Sequence, residues 1–218
     1  MNMIFTLVSE ATLETLAMVG FSTVFSLILG LPLGILLCVT DGETGIMKKP
    51  VLNQVLTRIV NVLRSFPFMI LMILLFPLSR KIVGTSIGTT ATIVPLSIAA
   101  APFVARIIET ALKEVDPGVV QAARAMGSTN MQIIWKVLLP EAMPSLVSGI
   151  TLTIINLIGY SAMAGAIGGG GLGDLAIRYG YQRFRTDIMA VSVIVILVLV
   201  EVIQVIGTKI SSRLLAKR

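Results

Sequence analysis

Between Thr15 and Thr40 the chain runs for 26 residues without an Asp, Glu, Lys or Arg. About 20 such residues, rising about 1.5 Å each in a helix, cross the hydrocarbon of a bilayer. Similar windows follow. Residues 59–78 are apolar apart from Arg64 near their start, and 82–105 give 24 uncharged residues with Pro95 and Pro102 inside. Membrane helices tolerate proline where neighbours satisfy the freed backbone groups. From Ala142 to Gly173 there are 32 uncharged residues; 142–164 make a span, and the glycine-rich stretch that follows belongs to a loop over 165–187. Residues 188–208 are interrupted only by Glu201. The pattern predicts an all-α membrane protein, residues 1–218 forming a single transmembrane domain of five spans.

Composition agrees. Only 13% of residues are charged, against about 25% in soluble domains, so no separate soluble domain is expected. The net charge of +6 would suit nucleic acid, but its placement reads as membrane topology. Five spans put the termini on opposite sides, and Lys and Arg favour the cytoplasmic side. With the C-terminus inside, twelve of the 17 basic residues fall inside: Lys48, Lys49, Arg58, Arg64, Arg106, Lys113, Arg124, Lys136, Lys209, Arg213, Lys217 and Arg218. Arg80, Lys81, Arg178, Arg183 and Arg185 fall outside. The N-terminus is therefore expected outside and the C-terminus in the cytoplasm. The chain's surroundings are lipid, and nucleic acid is not among its partners.

The first residues carry Glu10 and Glu14 and no Lys or Arg, unlike the positive start of a secretory signal. The first apolar segment is expected to stay in the mature protein. Cys38 is the single cysteine and there is no histidine, so neither a disulfide framework nor the commonest acid/base group and metal ligand is present. No metal site and no catalytic residue are expected.

The cytoplasmic stretch 106–141 is the informative one. Ile107, Ile108, Ala111, Leu112 and Val115 continue a helical stripe out of the third span. Asp116-Pro117 reads as an N-cap followed by proline at the first helical position. Val119, Ala122, Ala123 and Met126 then fall at i, i+3, i+4 and i+7, on one face of a short helix that Gly127 stops. Ser128 or Thr129 can cap a second helix with the stripe Met131, Ile134, Trp135 and Leu138, which Pro140 is expected to end. Each helix is about 15 Å long, half a span, and isolated helices this short are marginal in water. They must pack against something: the rest of this chain, the lipid surface, or a cytoplasmic protein gripping the small residues Ala122, Ala123 and Gly127. A DNA-reading helix-turn-helix is excluded by its chemistry: Ile133, Ile134, Trp135, Val137 and Leu138 offer no base-reading face.

These residues resemble a known family. Permease subunits of prokaryotic ABC importers carry a loop of the form E-A-A-x3-G-x9-I-x-L-P in this position. Ala122, Ala123, Gly127, Leu139 and Pro140 match at that spacing, with Gln121 in place of the glutamate and Val137 in place of the isoleucine. "LRSFP" at 63–67 and "APFVARIIETALKEVDPG" at 101–118 extend the similarity, and "GGGGLGDLAIRYGYQRF" at 168–184 looks like the methionine-uptake subgroup. The resemblance implies the type I ABC importer permease fold, used as a homodimer in the bacterial inner membrane. It implies that the 117–127 helix, with Val119, Gln121, Ala122, Ala123, Met126, Gly127 and the later Pro140, couples to two copies of an ATP-binding subunit. ATP and Mg would sit on that partner, and an external binding protein would deliver amino acid.

The chain cannot power transport alone. It has no Gly-Lys pair, so the phosphate-cradling loop G-x4-G-K-[ST] is absent. Energy must come from a partner ATPase or from an ion gradient. The ion-gradient alternative is a secondary transporter with Glu201 as its coupling group. Candidate pathway residues are the intramembrane polar groups Asn156, Tyr160, Ser161 and Glu201, with Gln204 beside Glu201 at i+3. Asn156 and Ser161 serve equally well as interhelical hydrogen-bonding groups, and Glu201 as a partner of Arg58 or Arg64. In 165–174 the glycines satisfy G-x-G-x-x-G, but a membrane helix precedes them where a dinucleotide site needs a strand. Gly171-Leu172-Gly173-Asp174 also fits an intramembrane aspartyl protease, which needs a second carboxylate that Asp187, at a span boundary, does not supply. The stretch is expected to be a flexible or tightly turned external loop, with Asp174, Arg178, Arg183 and Arg185 facing the binding protein.

Overall fold

The computed structural model describes residues 2–216. Lys217 and Arg218, two of the inside cations above, lie outside the described residues. These form helices only: α1 (Asn2–Thr40), α2 (Pro50–Ser65), α3 (Phe68–Val83), α4 (Thr89–Lys113), α5 (Pro117–Ala125), α6 (Asn130–Ile133), α7 (Leu139–Gly165), α8 (Gly171–Leu175) and α9 (Thr186–Leu215). One π turn, Ile134–Leu138, joins α6 to α7, and another, Ala176–Tyr181, follows α8. Four continuous helical stretches are long and apolar enough to span: Ile4–Thr40, Thr89–Lys113, Asn130–Gly165 and Thr186–Leu215. The pair α2 and α3 makes a fifth only if counted as one broken span.

That pair is where the structure departs from the window 59–78. The chain breaks at Phe66-Pro67, with Pro67 extended at φ −60° and ψ 127°. A residue before proline is driven out of the helical region, so α2 cannot run through. Ahead of the break, Val51, Val55, Ile59 and Val62 share one exposed face of α2, while Asn53, Thr57, Asn61 and Arg64 lie on the opposite side. An apolar window opening at Ile59 therefore takes the last turns of an amphipathic helix for the start of a span.

Pro140 is the second departure: it does not end a helix. Helix runs unbroken from Asn130 to Gly165. The π turn explains this. Leu139 N–H donates to Ile134 O, five residues back, and Pro140 follows at once. The widened turn accommodates a residue that has no N–H and whose ring crowds a normal α turn.

Residues up to Ser26, Phe66–Ala100 and Thr153–Val205 form one compact unit. Met18, Leu96, Leu157 and Ile158 are its buried centre, and a second cluster gathers Leu172, Leu175 and Ile188. Leu27–Ser65, Ala101–Leu152 and the residues from Ile206 on form the other unit. Its centre is Ile108, Leu112, Ile133 and Leu138. There α1 and α4 touch closely: a Cβ on Gly30 would lie 2.7 Å from the Cβ of Val104. Small residues at such contacts let helix backbones pack where lipid offers no hydrophobic drive.

The glycine-rich stretch is tightly turned. Gly168, Gly170 and Gly171 have φ of 80°, 80° and 75°, and all five residues of α8 are buried. Glu14 Oε2 accepts from Gly171 N–H at 2.7 Å, and Thr15 Oγ1 accepts from Leu172 N–H at 2.9 Å. A carboxylate and a hydroxyl thus satisfy the orphan donors at the start of α8.

Candidate coupling site

The coupling candidate is built from its caps inward. Asp116 accepts from Gly118 N–H at 2.7 Å and Pro117 opens α5. At the other end Gly127 takes φ +81°. Gly127 N–H donates to Arg124 O at 2.9 Å and Ser128 N–H to Ala123 O at 3.1 Å. This pair of bonds is a Schellman stop, and it depends on the left-handed residue. Thr129 then caps α6: its Oγ1 accepts from Gln132 N–H at 3.3 Å while Gln132 Oε1 accepts from Thr129 N–H at 2.8 Å. Both helices are fixed at their ends with no help from outside.

The faces are less expected. Of the stripe Val119, Ala122, Ala123 and Met126, only Ala123 is buried. Half-buried Val120 joins it against Leu112, Ile133 and Leu138, and Arg124 Nη2 donates to Ile46 O at 3.0 Å. Val119, Gln121, Ala122 and Met126 point out, with Met126 79% exposed. The second stripe divides in the same way. Ile134 and Leu138 are buried, whereas Met131 and Trp135 are exposed, the indole N–H lying 3.2 Å from Met131 Sδ. Five apolar side chains, Val119, Ala122, Met126, Met131 and Trp135, are thus left uncovered on a pair of capped helices. Pro140 is exposed and belongs to the first turn of α7.

Beside the cap, Lys113 holds Asp41 at 2.8 Å and Glu109 at 3.0 Å, and Arg106 holds Glu109 at 2.6 Å. The Lys113 ammonium, then the Thr44 N–H, hold the Asp41 carboxyl below its ordinary range. This ion-pair chain ties the end of α1 to α4. Nothing in the spacing of these residues announced it.

The pathway candidates do not converge on one chemistry. Ser161 is buried and its hydroxyl donates to Ile158 O at 2.8 Å, within its own helix. Tyr160 lies flat on Phe68, ring centroids 4.5 Å apart. Asn156 is exposed on α7. Glu201 is exposed on α9, and among the described residues no ion pair joins it to Arg58 or Arg64. The Gly-rich region sorts its charges too. Asp174 is buried and bonded to Arg178, so it anchors an arginine and leaves little surface of its own. Arg185 pairs with Asp187 at 2.7 Å. Arg183 stacks over Tyr179, 4.5 Å from the ring centroid. Exposed Phe184, held at φ 57°, was not singled out by its sequence context.

Residues 30–217 match the family model of the binding-protein-dependent transport system inner membrane component. The chain belongs to this family, as a multi-pass membrane subunit of a transport system. It is 53% identical to the probable D-methionine transport system permease protein MetI of Vibrio cholerae, over 92% of this chain and 89% of that one. It is 51% identical to the methionine import system permease protein MetP of Bacillus subtilis, over 73% and 72%. Among solved structures it matches a chain of the MetNI methionine ABC transporter in inward-facing conformations. There the TM-score is 0.95 and the identity 45%, over 98% of this chain and 99% of that one. The fold is that of a type I importer permease, and transport by this class draws on a separate ATPase. The ion-coupled alternative with Glu201 finds no support.

Proposed function

We propose that two copies of this chain form the path of an ATP-driven methionine importer. In this account α5 sits in a cleft of each of two ATP-binding subunits, which carry the ATP and Mg. The uncovered apolar face of a doubly capped α5 carries the proposal. A helix so short, fixed at both ends and bare on one side, suits being gripped and moved as a rigid piece. Helices α4 and α7 follow from its two ends, so closure of the ATPase pair displaces the membrane path. The methionine assignment draws on the MetI and MetP relatives and on the MetNI transporter. The N-terminus lies outside and the C-terminus inside, as the basic residues favour. An external binding protein then meets the Gly-rich loop, where of Arg178, Arg183 and Arg185 it is Arg183 that has no carboxylate partner among the described residues.

The test is Gly127→Asp. A side chain at φ +81° costs about 1–2 kcal/mol and meets no atom within 4 Å, so the permease still inserts. Methionine uptake in cells carrying all subunits should be lost while membrane levels hold. Undiminished uptake contradicts the coupling role.

A further inference from the structure

We infer that the open groove between α4, α7 and the end of α9, with Arg64 of α2 at its rim, is a weak release site for the zwitterion of an amino acid with an apolar side chain. The inference rests on the importer proposed above and concerns residues given no role there. The groove is open along much of its rim, measures about 570 Å³ and lies wholly among residues of the second unit. That is within the range of about 300–1,000 Å³ usual for small-molecule sites.

Its charges decide the ligand class. Three charged side chains line it: Arg64, Arg106 and Glu114. The Arg106 charge is already offset by Glu109 at 2.6 Å, and a second of its N–H groups donates to Asn61 Oδ1 at 2.9 Å. Arg64 has no ion pair among the described residues. Glu114 accepts from Ser145 Oγ at 2.6 Å through Oε2, which leaves Oε1 open. One guanidinium and one carboxylate oxygen therefore remain for a guest. A guest carrying both a carboxylate and an ammonium matches this pair of charges; an anion or a cation alone matches one and meets repulsion from the other.

The remaining wall fits the side chain. Phe103, Ile107 and Leu152 are apolar, and an unbranched thioether or alkyl chain can lie along them. Ser148 donates to Ser211 at 2.8 Å, and Ser211 donates to the Pro144 carbonyl at 2.9 Å, so these hydroxyls brace α7 against α9. Ser161 and Tyr160 are occupied within the other unit and offer no comparable pair. Arg64 and Glu114 are exposed, so each contact is screened and affinity is low. Weak holding suits the last stop before release.

The experiment uses the complete complex, without nucleotide, in nanodiscs. Saturation-transfer NMR reads binding of methionine, norleucine, methioninamide and N-acetylmethionine. Methionine and norleucine should bind alike, and the amide and the N-acetyl form each about two- to fivefold more weakly, as loss of one screened, exposed ion pair implies. In Arg64→Gln the preference for the free carboxylate should vanish while that for the free amine stays. Glu114→Gln, which keeps the Ser145 bond, should do the reverse. Preferences unchanged in both variants overturn the inference. So does absence of transfer in a complex that imports methionine into proteoliposomes with its binding protein. A complex importing a different amino acid contradicts the methionine assignment instead, and the same paired losses, read with that amino acid's amide and N-acetyl form, then decide this inference.

Discussion

The helix Pro117–Ala125 and the helix Gly171–Leu175 are both short and both join membrane spans, yet they are held in opposite ways. The first is fixed at its caps, buries Ala123 and leaves Val119, Ala122 and Met126 bare. The second is buried at every residue, with its first N–H groups taken by Glu14 and Thr15. A segment that transmits force from outside must keep a surface to be gripped; a segment that sets geometry must leave none. Both use glycine, for different reasons. Gly127 has open space around it and is required by its φ, whereas Gly165 and Gly173 are required by backbone pressed against them from Asp174 and Ala162.

The contrast breaks most readily at the second helix. Gly173→Val drives a side chain into the backbone of Ala162, and overpacking of this kind costs about 1–3 kcal/mol or more. Purified protein should lose its monodisperse peak or melt well below wild type in a fluorescence thermal scan. The same kind of change at the first helix should spare the fold. Ala122→Glu adds an exposed side chain, a change usually within about 0.5 kcal/mol, yet uptake should fall at least about tenfold because the gripped face is spoiled. A stability loss in Ala122→Glu, or normal uptake, would erase the difference between the two helices.

Smaller effects sharpen it. Thr129→Ala removes a cap beside the gripped helix and should lower stability by about 1 kcal/mol, read as a shift in the denaturation midpoint. Asp41→Asn should cost less than about 1 kcal/mol, since exposed ion pairs are screened. Its pH dependence has a definite sign. Lys113 lowers the Asp41 pKa in the folded state, so the stabilisation is full above the ordinary carboxyl value of about 3.9 and is lost as pH falls through the folded value. Wild type and Asp41→Asn should differ by a constant amount from pH 6 to 8 and converge in strong acid. Melting curves across that series measure it.

Much of this was legible because charge-free length is a direct physical demand of the bilayer, and because Asp116-Pro117 and Gly127 each solve a named problem at a helix end. Other features were not. Whether Pro140 stops a helix depends on a π turn in the preceding residues, which no residue type specifies. The amphipathic face of α2 was present in Val51, Val55 and Ile59, but a search for uncharged runs passes over a helix whose opposite face is polar. Asp174 looked like a surface charge because burial is a tertiary fact, set by α8 folding back against Glu14 and Thr15. Outward-facing Met126 and buried Ala123 lie on one helical stripe, and only the packing of α5 separates them.

A nitroxide placed at Met126, in a Cys38→Ser background, tests the gripping of α5 most directly. Before the ATP-binding subunits are added, the label should be mobile and accessible to an aqueous relaxation agent. Adding them should immobilise it and cut that access. A label that collides freely with dissolved oxygen as if in lipid, and is unchanged by the subunits, would contradict the account.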